Sequence, residues 1–446
     1  MTTGLLLCVL AVAFENMAVT AAMPAAATEL GDLPLYAWAF TAVMIPQIVA
    51  ITVAGRWADR HGPVRPLAWG LAIFAAGIVA AALADSMLAL LVGRAVQGLG
   101  AGGISLALLV VTGRAYDRIR RARVMTWFSA CWVLPSFVGP VIAAWLSESL
   151  SWRWVFWAVL PLVATGAALV LPGLVRLGIG GSDQHDTQIR LRAALAVAVG
   201  AALLQASGQD LTWWSLTGVV VAAVLLGAWL PGVMPRGFSL TAGGLSSTVL
   251  TRLLIGGSFF AMMSFLPLLL VQRGVPLVLA GASLALSSIG WLLGSWVQAR
   301  PWLTLSRDRI VGWGAVAICA GLIVVAAGAW LPALGVGVPV VGSGIAGFGM
   351  GLAMASTSLV TMQLSLEADL GRNTSSLQVS EVLGNAIIAG GAGTLFAALP
   401  TTEGSPETFG WIGMLLVGTS ALGILTARRI GPVANYSAVA SPSPGN

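Results

Sequence analysis

The chain has no lysine, only two histidines and three cysteines, and very little charge of either sign: 9% of its 446 residues are charged. Each scarcity excludes something. A soluble domain of this length needs a charged surface. A chain that is 58% hydrophobic, with a mean hydropathy of +0.93, has none to offer and reads as an all-α polytopic membrane protein. Cys8, Cys131 and Cys319 all fall inside apolar runs, at spacings that suit neither a metal site nor a disulfide framework, and read as small packing residues. His61 and His185 lie in loops with no catalytic partner at motif spacing, which argues against a membrane enzyme such as an acyltransferase. No phosphate-cradling glycine loop is present, so the sequence implies no ATP hydrolysis, no ATPase subunit, no cofactor and no metal. A receptor that binds without moving its ligand differs from a transporter only in lacking proton-coupled flux.

What is present is apolar helix. A span takes about 20 apolar residues. Six such stretches open the chain, at about 4–28, 34–55, 66–84, 88–113, 122–147 and 153–175. Another six close it, at about 244–271, 276–299, 310–331, 336–364, 374–399 and 408–428. Two weaker segments, about 193–208 and 213–232, lie between. The expected organisation is a six-helix bundle over 1–175, a cytoplasmic linker over 176–192 and a central helix pair over 193–232. A second six-helix bundle follows over 233–429, and a disordered tail over 430–446. That makes fourteen spans with both termini inside. The first stretch carries no basic segment ahead of it and holds Glu15-Asn16, so it is expected to be a retained helix rather than a cleaved leader.

The net charge of +6 is carried by arginine alone, and its distribution follows that topology. Alternate loops hold Arg56, Arg60 and Arg65; Arg114, Arg118, Arg120, Arg121 and Arg123; and Arg300, Arg307 and Arg309, whereas only Arg153 and Arg273 fall outside. No basic patch with interleaved aromatics is left for nucleic acid. Most of the 18 tryptophans lie near span ends, as an interfacial belt requires, but Trp132 and Trp291 are deeper and are candidates for a cavity wall.

Three charged residues sit at depth. Glu15 lies near the middle of the first span, where a carboxylate costs roughly 2.5 kcal/mol or more; holding a proton is the cheap way to lower that cost. Arg94 lies some six residues into the fourth span, roughly 9 Å along the axis, and needs a partner or water there. Glu381 is a second acid, on the thirteenth span, where Gln378, Glu381 and Asn385 recur at i, i+3 and i+7 and make one helix face polar.

The loop after the second span reads Gly55-Arg56-Trp57-Ala58-Asp59-Arg60-His61-Gly62-Pro63-Val64-Arg65. It resembles the signature loop of the major facilitator superfamily: Gly, three residues, Asp-Arg, one residue, Gly, then a basic residue. Asp59 there can pair with Arg60 or with arginines of the fourth-to-fifth-helix loop. The stretch Arg94-Ala95-Val96-Gln97-Gly98 is similar to the superfamily's Arg-x-x-Gln-Gly segment, tied in that family to proton coupling. The first span, with Glu15 followed by Ala22-Met23-Pro24, resembles that of the fourteen-helix drug:proton antiporter branch; that branch usually has Asp at the acid, and Thr where Met17 stands here. Of the branch's fifth-helix antiporter motif, Gly139-Pro140 matches, while Pro135, Ala143 and Ala144 stand where glycines are usual.

The resemblance covers essentially the whole chain and implies the major facilitator fold, two six-helix bundles about a central cavity, worked by alternating access. It implies a multi-pass transporter of the cell's inner membrane, with a small-molecule substrate, protons and the lipid bilayer as partners. Glu15, Arg94 and Glu381 are then the proton-coupling candidates, and Gly55, Asp59, Arg60, Gly62 and Arg65 form the gating loop. Asn16, Met17, Gln97, Trp132, Gly139, Pro140, Gln378 and Asn385 are candidates for the cavity. The expected activity is proton-coupled export of amphipathic or lipophilic molecules, since Met17, Met262, Met263, Phe259, Phe260 and Trp132 would make adaptable, weakly specifying walls. Export of a lipid or of one specific metabolite is the alternative. A sugar or organic-anion importer fits less well, because polar residues at depth are sparse.

Overall fold

A computed structural model describes residues 1–30, 38–178, 188–207, 213–275, 279–280, 283–398 and 406–435. Among them there are helices and turns and no strand. The first group is α1 (Thr2–Leu30), α2 (Trp38–His61), α3 (Val64–Ala82), α4 (Met87–Ala115), α5 (Arg118–Ser149), α6 (Arg153–Trp157) and α7 (Leu160–Leu177). The middle pair is α8 (Gln188–Ser207) and α9 (Trp213–Val233). The last group is α10 (Leu245–Gln272), α11 (Leu284–Val297), α12 (Arg307–Trp330), α13 (Gly337–Leu364), α14 (Leu370–Ala398) and α15 (Pro406–Ala427). Among the described residues, eight helices are long and apolar enough to cross a membrane. Apolar stretches of α8, α9 and α11 fall in a shorter class.

Local chemistry sets several boundaries. The Ser86 side chain accepts the Ala89 amide at 3.4 Å and caps α4. α2 and α7 end at Gly62 and Gly178, whose φ angles of 78° and 58° stop a helix at little cost only in glycine. The sixth expected span is broken into α6 and α7. Pro161 sits in the first turn of α7 and has no amide to return to Trp157, so the bonding restarts there.

The chain falls into two units by contact. Unit 1 comprises Met1–Asp117, Ala130–Ala198 and Ser365–Ser375; unit 2 comprises Arg118–Ser129, Val199–Leu364 and Ser376–Asn446. Three helices therefore change unit along their length, α8 among them, between Ala198 and Val199. The first turns of α14 belong to unit 1 and the first three turns of α5 to unit 2.

In unit 1, α4 packs against both α2 and α3 through glycine. A Cβ on Gly98 would lie 2.1 Å from the Val43 carbonyl oxygen of α2, and one on Gly100 would lie 2.3 Å from the Phe74 amide of α3. In unit 2 the core gathers Ile255, Phe259, Met262, Ile318, Met350 and Leu416 from α10, α12, α13 and α15. Ile430–Asn435, placed by the sequence in a disordered tail, packs onto unit 2. The Arg307 amide donates to the Val433 carbonyl at 2.8 Å, the Val433 amide to Asp308 at 3.0 Å, and the Asn435 side chain to the Leu303 carbonyl at 2.8 Å. The rest of that tail, 436–446, lies outside the described residues, as does most of the linker, 179–187.

Candidate functional site

Three sites emerge from the charged residues the sequence singles out. The first lies between α1 and α4. Glycines at 98 and 102 turn one side of α4 to α2, and those at 93 and 100 turn another to α3. That leaves Arg94 and Gln97, three residues apart, for α1. Arg94 forms an ion pair with Glu15, and the same Nη1 donates to the Gln97 Oε1 at 2.8 Å. All three side chains are sealed: Glu15 is 1% exposed, Arg94 3% and Gln97 0%. The Gln97 amide nitrogen finds no hydrogen-bond acceptor among the described residues.

The neighbours are those the sequence named. Gly139 of α5 comes so close to α1 that a Cβ there would stand 3.3 Å from that of Met17. Asn16 donates to the Val12 carbonyl of its own helix at 2.9 Å. Trp132, two turns before Gly139, is 36% exposed. Pro140 lies in α5, and nothing further of its surroundings is described.

The second site is the end of α2: Gly55–His61, read from the sequence as part of a loop, are helical, and the turn comes at Gly62. Asp59 is buried, and its two oxygens accept the backbone amides of Gly371 and Arg372 at 2.7 and 2.8 Å. These amides belong to the first turn of α14, where N–H groups have no partner within the helix and the helix dipole favours an anion. Arg114, at the end of α4, stands 3.3 Å from the same carboxylate and donates to the carbonyls of Ala58 and Glu367 at 3.2 and 3.1 Å. An arginine past the fourth span, one of the two kinds of partner open to Asp59, is thus in place. Gly55 serves the same junction: a Cβ there would lie 2.7 Å from the Gly371 oxygen. Burial pushes the Asp59 carboxyl up to about 6, against the two amides and Arg114, which favour its charge; Asp369 adds to the rise. Arg60 is half-buried, and Arg65 is exposed on the first turn of α3.

The third site is in unit 2. Arg252 of α10 reaches Glu381 of α14 through Nε and Nη2, both at 3.0 Å, while Nη1 donates to the Met354 carbonyl at 2.7 Å and the Thr357 hydroxyl at 2.6 Å. Arg252 is 4% exposed and Glu381 20%. Glycines again set the approach, since Cβ atoms on Gly257 and Gly384 would lie 2.3 and 2.1 Å from carbonyl oxygens of the facing helix. Gln378 is buried, with its amide nitrogen lacking an acceptor among the described residues, and Asn385 is half-buried. Arg252 has no role assigned in the sequence analysis. The signal was available: Arg252 is the one charged residue in the 28 residues of α10.

A profile of the Major Facilitator Superfamily matches residues 5–389. The chain belongs to the major facilitator superfamily. Its relatives in that superfamily include Multidrug resistance protein 3 of Bacillus subtilis, 26% identical over 66% of this chain and 59% of that one. The Multidrug resistance protein B homolog of Mycobacterium tuberculosis is 28% identical over 71% of this chain and 61% of that one. An uncharacterized MFS-type transporter of the same species is 32% identical, over 52% of this chain and 34% of its own length. The chain thus spans between a third and about three-fifths of these relatives. Among solved structures, the proton:xylose symporter XylE aligns with a TM-score of 0.69 at 12% identity over 98% of both chains, a likeness of fold. This superfamily member is a multi-pass membrane protein.

Proposed function

We propose that the chain is a proton-coupled exporter of amphipathic or lipophilic small molecules, seated in the cell's inner membrane and working by the alternating access general to its superfamily. The observation that carries this reading is the sealed Glu15–Arg94–Gln97 cluster. A buried carboxylate has two inexpensive forms: paired with a guanidinium, or protonated. An arginine that can leave the acid lets it exchange pairing for a proton, which is the coupling step such a carrier needs. Gln97, whose amide nitrogen has no acceptor among the described residues, can hold the acid while Arg94 is elsewhere. The multidrug names of the relatives support a broad lipophilic cargo, and half-buried Met17 and exposed Trp132 would suit it.

Asp59 serves as the latch in this reading. While its carboxylate holds the first turn of α14, the arginine-rich side is shut; release of Gly371 and Arg372 opens it. Glu381 and Arg252 form a second coupling pair. The test is accumulation of a fluorescent lipophilic dye in proteoliposomes under an imposed pH gradient. Wild type should concentrate the dye, and collapsing the gradient should stop it. Dye movement indifferent to the gradient would sink the proton-coupled reading.

A further inference from the structure

α11 and α13 pack backbone to backbone. A Cβ on Gly290 would lie 2.3 Å from the Gly344 oxygen, and one on Gly347 would lie 2.1 Å from that of Ser287. Helices that meet at glycine leave their larger side chains standing on either side of the contact, and here those side chains enclose a trough of about 330 Å³. Leu286, Ile289 and Leu293 form one wall and Val341, Ile345 and Phe348 the other, over a floor of Gly290 and Gly344. Among the described residues no polar side chain lines it. Leu293 is 51% exposed and Val341 54%, so the trough opens outward from unit 2.

One end of the trough is marked. Ile289, Leu293 and Trp296 recur at i, i+4 and i+7 and share a face of α11. Past the helix end, the Arg300 amide donates to the Val297 carbonyl at 3.1 Å, and the guanidinium lies over the Trp296 ring with its carbon 3.7 Å from the centroid. Among the described residues Arg300 forms no ion pair. Trp296 and Trp302 are 44% and 62% exposed, the pattern of side chains at a membrane boundary. A chain filling one leaflet runs about 15 Å, half of a hydrocarbon core of about 30 Å. Measured back from Arg300 along the helix at 1.5 Å per residue, that length ends at about Gly290, the floor of the trough.

We propose that this trough and Arg300 together bind an anionic phospholipid, one acyl chain lying between α11 and α13 and the headgroup phosphate resting on the guanidinium. The Trp296 ring holds the guanidinium in place, and its planar fork matches a phosphate. The trough's depth, its apolar lining and a cation one leaflet away name a lipid rather than free phosphate. The proposal rests on the membrane setting and not on the transport reading.

The test is native mass spectrometry of the delipidated full chain titrated with palmitoyl-oleoyl phosphatidylglycerol or phosphatidylcholine. Wild type should bind phosphatidylglycerol preferentially. Arg300→Gln should weaken that binding about tenfold, the weight of one charged contact, and leave phosphatidylcholine unchanged. Ile345→Trp and Leu293→Trp, both outward-facing substitutions that fill the trough, should each weaken both lipids; either variant alone suffices if the other folds poorly. Arg309→Gln should leave both lipids as in wild type. Glycerol phosphate should not displace the lipid. Equal phosphatidylglycerol binding by wild type, Arg300→Gln and the trough variants would overturn the proposal. So would full displacement by glycerol phosphate, which would leave a phosphate contact with no chain site.

Discussion

The ion pairs of the two units use the same chemistry under different access to water. Glu15 and Arg94 are both sealed, and the acid sits in mid-helix on α1. Glu381 keeps a fifth of its side chain exposed, and its partner Arg252 is pinned by a carbonyl and a hydroxyl of α13 as well. A sealed pair has nowhere to put its charge but the partner or a proton, so each state of the cation dictates the state of the acid. A pair that reaches water has a third option and couples less tightly. On the proposed function, the difference gives the leading switching role to unit 1 and a secondary coupling role to unit 2, where the arginine has more partners and the acid is the freer member.

The largest contrast should appear in transport. Glu15→Gln should insert and fold yet reduce gradient-driven dye accumulation to background, while Glu381→Gln should leave a measurable fraction. Equal loss in both would break the distinction. In stability, Arg94→Ala leaves a sealed carboxylate alone and should cost about 3–5 kcal/mol, read as a lowered unfolding midpoint in detergent. Arg252→Ala should cost less, about 1–3 kcal/mol, because water can reach Glu381. The double variant Glu15→Gln with Arg94→Gln should recover most of the loss, since no lone charge remains. Arg252→Lys should be poorly tolerated, because Arg252 spreads its fork over three partners and an ammonium cannot.

The smallest effect concerns Asp59 and runs with pH. Its carboxyl titrates at about 6 when held at α14, against about 3.9 for a solvated aspartate. A raised value means the held form binds the proton more tightly. Holding is therefore favoured as pH falls through 6 towards 4, and that gain is lost as pH rises through 6. Cysteine labelling on the arginine-rich face should decline from pH 7 to pH 5 in wild type. Asp59→Asn sets an amide nitrogen against one of the two backbone donors, so labelling should rise at neutral pH and lose its slope. A wild-type slope of opposite sign would show that release, not holding, takes the proton.

The helices were legible because apolar length is a local property. Every expected span has a helix in the structure, with ends mostly within a few residues, and the break between α6 and α7 needed only Pro161. The Glu15–Arg94 pair was also within reach, since each residue alone at depth requires a partner. Two features were not. Arg252 looked like a boundary arginine because seven residues of α10 precede it, and only packing shows that it turns inward to Glu381. The amides of Gly371 and Arg372 carry no side-chain signature, so a helix terminus acting as the anion partner of Asp59 could be found only in three dimensions. The folded Ile430–Asn435 segment was misread for a related reason: its order comes from carbonyls and one aspartate elsewhere in unit 2, not from its own composition.

The central claim is that Glu15 is the group that exchanges a proton for cargo. Proton release on addition of a lipophilic dye to purified protein, in weakly buffered detergent solution, tests it most directly. The account predicts release by wild type and by Glu381→Gln, and none by Glu15→Gln, with dye binding still detectable in all three. Release of undiminished size from Glu15→Gln would contradict it.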